Sequence, residues 1–359
     1  MTITRRDTLG LGAVLLAAPM LARPAMAATG LAMTAMAEGL NEPWAIGFLP
    51  DGRFVVTERD GRLKVFADGG VSQVAGLPEV FAEGQGGLLD VMVPRDFGRT
   101  GRLWFSYAHP GDGGGSTALG HGVLEGDRLR AFTRVHEGPP VEGGRHFGSR
   151  VVEAPDGSVF LTTGDRGMGE RAQDPARPEG KVLHFTAGGQ PMPTAMSGGM
   201  PGLWSMGHRN IQGATLDAGG RLWTVEHGAR GGDELNRPQA GRNYGWPVIT
   251  YGVDYSGEKI GEGQARDGME QPVHYWDPSI APSGLAILKG RAFPDWRGHI
   301  LTGSLNSDLI ARLDPDAGYA EARIETPETA RVRDIREAPD GSLWFLSVGN
   351  GAAFRMTPA

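Results

Sequence analysis

EAPDGSLWFLS, residues 337–347, is the stretch that decides the fold, because a turn at Asp340 and Gly341 leads directly into an alternating apolar strand. The same pattern occurs in FLPDGRFVVTE (48–58), RTGRLWFSY (99–107), EAPDGSVFLTTGD (153–165), LDAGGRLWTVE (216–226) and FPDWRGHILTG (293–303). The spacings between successive turn glycines are 49, 56, 63, 78 and 43 residues. These glycines are Gly52, Gly101, Gly157, Gly220, Gly298 and Gly341. Units of roughly 40–50 residues plus insertions are typical of propeller blades, so the sequence predicts an all-β fold, a six-bladed β-propeller.

A propeller ring needs a closing strand. Propellers often complete their last blade with a strand from the other terminus, which removes a free sheet edge. Residues 31–37 have the pattern of a short strand, and residues 353–356 are its expected neighbour. We therefore expect residues 28–359 to form one domain.

The first 27 residues are predicted to be an export signal. Arg5 and Arg6 precede an apolar run over 9–21, and Ala25-Met26-Ala27 is a small-residue cleavage site. The run is shorter than the ~20 residues of a spanning helix, which argues against a membrane anchor. The adjacent arginines in TRRDTLG indicate twin-arginine export, and hence a periplasmic protein.

The charge and the cysteine content narrow the function classes. The chain has a net charge of −7, and loss of the basic signal would make it more acidic still. An acidic surface argues against nucleic acid and anionic membrane as partners. The chain contains no cysteine, which excludes a thiol nucleophile and disulfide bonds.

A glycine-rich loop in RLWTVEHGARGGDELNRPQAGRNYGWPVITYGVDY, residues 221–255, is the most distinctive segment. It carries Glu226, Asp233 and Glu234 beside four closely spaced glycines. Carboxylates next to accessible main-chain carbonyls are what calcium binds. The alternative is a long surface loop with solvated acids, but ordered loops of this length are usually functional.

Two glycine-flanked side chains are candidates for work at the mouth of the ring. His146 in GGRHFGSRVV (143–152) stands at a loop-to-strand junction, where a general base can be presented to a ligand. Gln85 in GQGGLLDVMVP (84–94) projects from a tight loop before a buried strand. Each has a purely structural alternative, a satisfied histidine or a turn glutamine.

Arginines in two further stretches indicate an anionic ligand. Arg209 and Asn210 in GLWSMGHRNIQGATLD (202–217) place a guanidinium beside an amide, a natural clamp for a carboxylate or a developing negative charge. Arg331 and Arg333 alternate, so we expect them on one face of a strand. Pairing with nearby acids is the alternative for both pairs.

Together these stretches resemble a known family. EGQGGLLDV, RHFGSRVV, GHRNIQG, EHGARGGDELN, GRNYGWP, QPVHYW and RVRDIR are similar to the soluble aldose sugar dehydrogenases that use pyrroloquinoline quinone (PQQ). The resemblance covers essentially the whole chain after the signal. It implies a six-bladed propeller, often periplasmic, which binds calcium and PQQ and oxidises the C1 hydroxyl of aldoses to the lactone.

The resemblance also implies roles for individual residues. It makes His146 the general base and Arg209 the group that stabilises negative charge on the cofactor. Further cofactor contacts are implied for Gln85, Asn210, Arg331 and Arg333, and an aromatic contact near cofactor and substrate for Tyr255. Trp276 is a further candidate for sugar stacking. The carbonyls of Gly228 and Ala229 are implied to hold the cofactor calcium, and Glu234 and Tyr244 a second, structural calcium.

One position departs from the family. Family members usually carry a cofactor-binding lysine after a G-x-L run in the fifth blade, and here that run is Gly303-Ser304-Leu305-Asn306. Asn306 can donate a hydrogen bond but brings no charge, and losing one charge-assisted bond costs about 1.5–3 kcal/mol. We expect weakened or altered cofactor binding.

Two other functions stay open on the sequence. A calcium-dependent propeller lactonase would share the acids but would not need Arg331 and Arg333. A binding protein that has lost its chemistry is the other, and Asn306 is the observation in its favour. The electron acceptor, a cytochrome or a membrane quinone, the preferred sugar and the oligomeric state are not indicated by the sequence.

Overall fold

The computed structural model describes residues 30–68 and 70–359. The predicted export signal, residues 1–27, lies outside the described residues. Within them the strands form six sheets arranged as a closed ring of blades, which confirms the predicted six-bladed β-propeller.

The strand bounds follow the chain. Strand β1 is Leu31–Ala37. Blade 1 contains β2 Pro43–Phe48, β3 Phe54–Glu58, β4 Arg62–Ala67 and β5 Gly70–Gln73. Blade 2 contains β6 Leu88–Met92, β7 Arg102–Gly111, β8 Gly114–Glu125 and β9 Arg128–Glu137. Blade 3 begins with β10 Gly148–Glu153, β11 Val159–Thr163, β12 Lys181–Phe185 and β13 Leu203–Met206.

The second half of the ring is built in the same way. Blade 4 contains β14 Ile211–Leu216, β15 Leu222–Glu226 and β16 Asp233–Asn236; β17 is Arg242–Asn243, and β18 His274–Trp276 completes blade 4. Blade 5 contains β19 Pro282–Ile287, β20 Ile300–Ser304, β21 Ile310–Asp314 and β22 Ala320–Ile324. Blade 6 contains β23 Val332–Glu337, β24 Leu343–Ser347 and β25 Ala352–Pro358.

The repeated turn has one structural position in every blade. All six repeat glycines lie between the first and second strands, and all have positive φ, between 62° and 90°. A side chain at such φ values is strained, so glycine is the residue that fits. The repeat therefore marks one face of the ring, and the loops that enter each first strand open on the other face.

Ring closure follows the prediction from the sequence. Strand β1 pairs antiparallel with β25, with Met33 opposite Met356 and Ala35 opposite Phe354. Leu31 and Met33 pack against the apolar cluster between blades 5 and 6. The amino-terminal strand thereby supplies the fourth strand of blade 6.

One connection differs from a simple four-stranded repeat. The insertion between β16 and β18 sends the two-residue strand β17 back to blade 3, where it pairs parallel with β13. Blade 3 consequently has five strands. The long loop thus fastens blade 4 to blade 3 on the outside of the ring.

The apolar core is divided among the blade interfaces. The described residues form six buried apolar clusters, one between each pair of neighbouring blades. Val225 and Leu313, for example, belong to one cluster although they lie on blades 4 and 5. No blade buries its apolar faces alone, so the ring is one cooperative unit.

Charged side chains fill the centre of the ring. Arg150 on β10 is fully buried; its Nη1 lies 2.9 Å from Asp334 on β23 and 3.6 Å from Asp90 on β6. Arg336 contacts both acids, at 2.6 Å to Asp90 and 3.1 Å to Asp334. Asp334 also accepts a hydrogen bond from the main-chain amide of Ile46. This central ion cluster (Asp90, Arg150, Asp334 and Arg336) connects four blades.

Helices contribute little. The described residues contain one α-helix, α1 at Phe97–Thr100, and short 3-10 segments at Gly169–Gln173, Pro294–Trp296, Pro315–Ala317 and Pro327–Thr329. Among these residues no helix has the length and apolar character needed to cross a membrane.

Candidate active site

His146 and Asp165 form the chemical centre of the open face. His146 ends the loop before β10 and has a φ of 56°, and Asp165 follows the end of β11. Nδ1 of His146 lies 2.7 Å from Oδ1 of Asp165. A carboxylate on Nδ1 holds the proton there, which leaves Nε2 as a free base.

Both members of the pair are nearly enclosed, and their pKa values follow from that. Burial lowers the pKa of His146, and the charges of Arg209 and Arg145 add to the effect, whereas Asp165 opposes it. Burial raises the pKa of Asp165, but the hydrogen bond and charge of His146, the amide of Gly167 and the charge of Arg209 together outweigh it, so the net pKa is lowered. The histidine is therefore neutral and the carboxylate ionised near neutral pH.

The loop that carries His146 is held from two sides. The side-chain oxygen of Gln85 accepts a hydrogen bond of 2.7 Å from the main-chain amide of His146. Arg166 donates to the carbonyls of Gly115, Gly143 and Arg145, and its guanidinium stacks on Phe147 at 3.4 Å. Gln85, predicted as a cofactor contact, is thus also a support of the base.

Arg209 and Asn210, just before β14, present donors that have no partner among the described residues. Nε of Arg209 and Nδ2 of Asn210 are buried without a hydrogen bond there. The rest of each residue is held firmly: the Arg209 amide donates to Glu226 at 2.6 Å, and Oδ1 of Asn210 accepts from Gly148 at 3.2 Å. Buried donors without partners are costly, so this pattern indicates a ligand rich in acceptor oxygens.

Arg333 contributes a second unneutralised charge. Burial, followed by the charges of three neighbouring arginines, lowers its pKa to about 9. Those arginines are Arg150, Arg331 and Arg59. Across residues 30–68 and 70–359, no carboxylate lies within salt-bridge distance of Arg333, which donates instead to Gln212 at 2.8 Å and faces the Trp44 ring at 5.7 Å. An anion with several carboxylates fits such a cluster.

The backbone corrects the expectation that Arg331 and Arg333 lie on one face of a strand. Strand β23 begins at Val332, and Arg331 precedes it with a φ of 53°. Strand alternation therefore does not put the two guanidinium groups together. The charge of Arg331 nevertheless contributes to the lowered pKa of Arg333, so the two side chains act in the same region.

The acids of the distinctive loop form a separate network beneath Arg209. Asn236 donates from one amide nitrogen to Glu226 at 3.0 Å and to Glu234 at 2.9 Å. Burial and then the charge of Glu226 raise the pKa of Glu234 to about 8. Glu226 is buried and Glu234 half-buried, and two neighbouring carboxylates that share one donor form an arrangement that a cation would stabilise.

The rest of a calcium shell would have to come from main-chain oxygens. The described residues contain no group of three or more His, Cys, Asp or Glu side chains placed to hold a metal ion. The hydroxyl of Tyr244 donates to the carbonyl of Arg237 at 2.7 Å and accepts from Gln239 at 3.1 Å, so it is not free to bind metal. Tyr244 lines the same small cavity as Glu234 and has only its carbonyl to offer.

The segment that contains Gly228 and Ala229 is fixed by Asp233. One oxygen of Asp233 accepts from the Gly228 amide at 2.8 Å, and the other accepts from the amides of Ile280 and Ala281 at 2.8 Å each. A Cβ at Gly228 would collide with the main chain of Gly231 and Gly232. Asp233 and the close approach of Gly231 and Gly232 therefore fix the main chain at Gly228, and the calcium-binding role of the Gly228 and Ala229 carbonyls stays a prediction.

Ser205, His208 and Glu226 have the spacing of a hydrolytic triad. Oγ of Ser205 lies 2.9 Å from Nε2 of His208, whose Nδ1 lies 2.8 Å from Glu226. Ser205 and His208 have no exposed surface, and the ring of His208 is stacked on Tyr244. A substrate cannot reach this serine, so the network positions Glu226 rather than acting as a nucleophile.

Three other predicted residues lie apart from the central group. Tyr255 is 70% exposed, on a turn at the rim. The amide of Asn306 donates to Ser279 at 3.1 Å and accepts from Ser307 at 2.8 Å, so its hydrogen bonds stay within the protein. The stacking role suggested for Trp276 is wrong, because its side chain is buried between blades 4 and 5 and donates to Glu321.

Several site residues were not identified from the sequence. Asp165, Gln212, His227, Arg166 and Trp44 take their positions from contacts with other blades. His227 is half-buried near the charges of Arg333 and Arg209; the low solvation of its ring first, and then those charges, lower its pKa to about 3. A Gly-Asp pair directly after the buried strand β11 was the available signal for Asp165.

The site does not coincide with the most prominent apolar cavity between two blades. That cavity, of about 610 Å³, lies between blades 3 and 4 at the opposite face and is lined by Phe160, His184 and Trp204. It contains none of the predicted site residues. The open face is favoured on chemistry instead, because the unpaired donors and the carboxylate-bound histidine are there.

Fold and site define the class as a six-bladed propeller with a carboxylate-bound histidine facing a cationic, donor-rich cradle. The chain belongs to the glucose/sorbosone dehydrogenase family, whose model matches residues 40–355, and it is an oxidoreductase of that family. It is 38% identical to the aldose sugar dehydrogenase YliI of Escherichia coli strain K12 over 341 residues, which cover 90% of this chain and 92% of that protein.

Two further comparisons extend this result. The crystal structure of the soluble aldose sugar dehydrogenase of Escherichia coli in the apo form has a TM-score of 0.87 and 37% identity, covering 92% of this chain and all of that one. Quinoprotein glucose dehydrogenase B of Acinetobacter calcoaceticus is 25% identical, covering 86% of this chain and 83% of that protein.

Proposed function

We propose that the protein is a quinoprotein that oxidises the C1 hydroxyl of aldose sugars to the lactone. The observation that carries the proposal is the pair His146–Asp165 facing the unpaired donors of Arg209 and Asn210. Removal of a hydroxyl proton and a hydride requires a base on one side and a stabilised electron acceptor on the other. His146 and Asp165 would supply the base, and the donors of Arg209 and Asn210 would stabilise the electron acceptor.

The residues fit PQQ and calcium as cofactors. Arg331 and Arg333 would hold carboxylates, and Arg209 and Asn210 would donate to ring oxygens. The carbonyls of Gly228 and Ala229 would hold calcium, and Glu234 with the Tyr244 carbonyl would hold a second ion. When bound, PQQ supplies a two-electron acceptor and calcium a Lewis acid that polarises it.

His146 performs the proton transfer. Nε2 accepts the proton from the C1 hydroxyl as the hydride leaves C1, and the imidazolium formed is stabilised by Asp165. The positive charge of Arg209 favours negative charge developing opposite the base. Trp246 donates to the second oxygen of Asp165 at 2.8 Å and keeps that carboxylate in place.

The proposal is tested by reconstitution. The purified protein is incubated with PQQ and Ca²⁺, and aldose-dependent reduction of an artificial electron acceptor is measured for wild type and for His146→Ala. We expect turnover in wild type and a loss of about 10²–10⁴-fold in kcat for the variant, the usual contribution of a general base.

His299 provides a matched control. It is a buried histidine whose Nε2 lies 3.5 Å from Asp314, and it follows the turn glycine of blade 5 on the opposite face. His299→Ala should retain activity. Absence of turnover with every aldose, or equal loss in both variants, would contradict the proposal, and PQQ-independent lactone hydrolysis would favour the lactonase alternative.

We also propose that the protein is exported by the twin-arginine route to the periplasm and passes electrons to a cytochrome or a membrane quinone. The signal of residues 1–27 supports export. Replacing Arg5 and Arg6 by lysine should retain the precursor in the cytoplasm, as fractionation would measure.

In the reconstitution experiment, tight binding of PQQ or sugar without turnover would instead indicate a binding protein.

A further inference from the structure

Gln212 lies between two groups of the candidate cofactor site. It is the second residue of β14 and is almost fully buried. Its Oε1 accepts from Arg333 at 2.8 Å, and its Nε2 donates to Oδ1 of Asn210 at 3.0 Å. Its main-chain carbonyl accepts from the fully buried Arg150 at 2.7 Å. Its Nε2 also donates to the carbonyl of Gly148 on β10 at 3.4 Å, so blades 3, 4 and 6 meet at this one residue.

The orientation of these amides follows from donor chemistry alone. A guanidinium only donates, so the oxygen of Gln212 must face Arg333. Its nitrogen must then face Asn210, which has to present its oxygen in return. The main-chain amide of Gly148 donates to the same Asn210 oxygen at 3.2 Å and requires the same orientation.

This orientation leaves the amide nitrogen of Asn210 without a partner in the network. Nδ2 is buried without a hydrogen-bond partner among the described residues, as is Nε of Arg209 next to it in sequence. An isolated asparagine could rotate its amide and offer an acceptor. Here it offers donors only, which suits the acceptor-only oxygens of a carboxylated quinone.

We propose that Gln212 is a positioning residue. Because Arg333 can only donate, it fixes the orientation of the Gln212 amide, and that amide in turn fixes the orientation of Asn210. The site therefore presents N–H groups to the cofactor oxygens. The inference rests on the proposed function in taking PQQ as the ligand. It assigns no contact between Gln212 and the cofactor. Gln212 acts through Asn210 and Arg333.

Gln212→Glu tests this relay, by which we mean the orientation of amides set from Arg333 through Gln212 to Asn210. A carboxylate has the same shape and still accepts from Arg333, but it cannot donate to Asn210. The introduced carboxylate then faces Oδ1 of Asn210 with no proton between them, so Asn210 is either displaced or rotates at the expense of its hydrogen bond from the Gly148 amide. In both cases its N–H groups no longer face the cofactor oxygens. We expect the affinity for PQQ, measured by titrating the apoprotein and following absorbance or fluorescence, to fall about ten- to hundredfold.

The new negative charge must be separated from the amide rotation. An Asn210→Ala variant has no side-chain amide for Gln212 to orient. Adding Gln212→Glu to it should therefore weaken PQQ binding by less than about threefold further. Gln212→Met removes the side-chain hydrogen bonds to Arg333 and Asn210, and the longer ones to the carbonyls of Gly148 and Ile211, without adding charge. We expect about a three- to tenfold loss that also disappears in the Asn210→Ala background. Gln190→Glu, the same change on the exposed surface, should bind like wild type.

The outcomes separate the two proposals. If wild type does not bind PQQ, the proposed function fails. If wild type binds PQQ and the Gln212 variants bind it equally well, the relay fails. If Gln212→Glu costs as much in the Asn210→Ala background as alone, the effect is plain repulsion and the relay is also wrong. Unchanged thermal unfolding checks that each variant is folded, and Gln212→Met replaces Gln212→Glu if that one is not.

Discussion

At the residue scale, the proposed chemistry depends on the hydrogen bond between Nδ1 of His146 and Oδ1 of Asp165. It selects the tautomer with a free Nε2, and it opposes the burial that lowers the histidine pKa. His146 is a base only when neutral. Activity should therefore increase with pH through a midpoint below the ordinary histidine value of about 6.5 and stay level above it.

Asp165→Asn should change both the level and the position of this pH profile. Without the carboxylate, the group that raises the His146 pKa is gone, so the acid limb of kcat/KM should move to lower pH. The plateau should fall about a hundredfold or more, because the tautomer is no longer held. Asp156→Asn, in the turn on the opposite face, is the control. An unshifted limb with a normal plateau would show that Asp165 does not orient the base.

At the element scale, the hairpin formed by β15, β16 and the loop between them combines three tasks, and the acids expected in the loop lie on its two strands. Asp233 fastens it to blade 5 by hydrogen bonds to Ile280 and Ala281. Glu226 holds the main-chain amide of Arg209. Glu234 completes an acid pair that is unfavourable without a cation. This hairpin therefore contributes both to the proposed function and to the stability of the ring, and calcium should affect both.

Calcium removal should expose this pair as a pH-dependent instability. The pKa of Glu234 is raised to about 8 in the folded chain, against about 4.5 when unfolded, so the folded state holds a proton that the unfolded state has lost. The chelated protein should consequently lose stability as pH rises from about 5 to 8. Calcium at about a hundredfold excess over Kd should add about 2.7 kcal/mol.

Glu234→Gln identifies the source of that effect. The neutral amide removes the repulsion with Glu226, so the chelated variant should unfold at a higher temperature than chelated wild type at a pH of about 8. It should also respond little to calcium. Differential scanning calorimetry with EDTA or CaCl₂ measures both quantities, and the exposed Glu125→Gln should behave like wild type. An equal calcium response in Glu234→Gln would place the ion elsewhere.

At the scale of the whole molecule, the ring is held by contacts that cross between blades. Six apolar clusters lie at the six interfaces, and the central ion cluster joins blades 1, 2, 3 and 6. Arg150 also holds Gln212 and the carbonyl of Arg333, so the centre of the ring supports the candidate active site directly.

Arg150→Met should destabilise the entire ring. It leaves Asp90 and Asp334 buried with only Arg336 between them, and removing one partner from a buried ion network costs about 3–5 kcal/mol. Unfolding in urea should show a lower midpoint in a single transition, since no blade has a core of its own. Arg99→Met, on a largely exposed arginine of α1, is the control. A midpoint within error of wild type would mean that the cluster adds no stability.

The local patterns in the sequence determined the all-β class, the number of blades and the closing strand. Glycine at a positive φ and period-two alternation are properties of short segments, so they can be read without the fold. Motifs also identified His146, Arg209, Asn210 and Arg333 as candidates, because each stands in a short, unusual context. Their roles in catalysis stay predictions.

Only the tertiary structure decided which partners these residues have. Asp165 reaches His146 from the far end of the next strand, and Gln212 joins Asn210 to Arg333 across 121 residues of sequence. The same holds for the return of β17 to blade 3 and for Trp276, which is buried between two blades. A linear sequence records the spacing of residues along the chain, whereas these contacts depend on the order, tilt and closure of six blades.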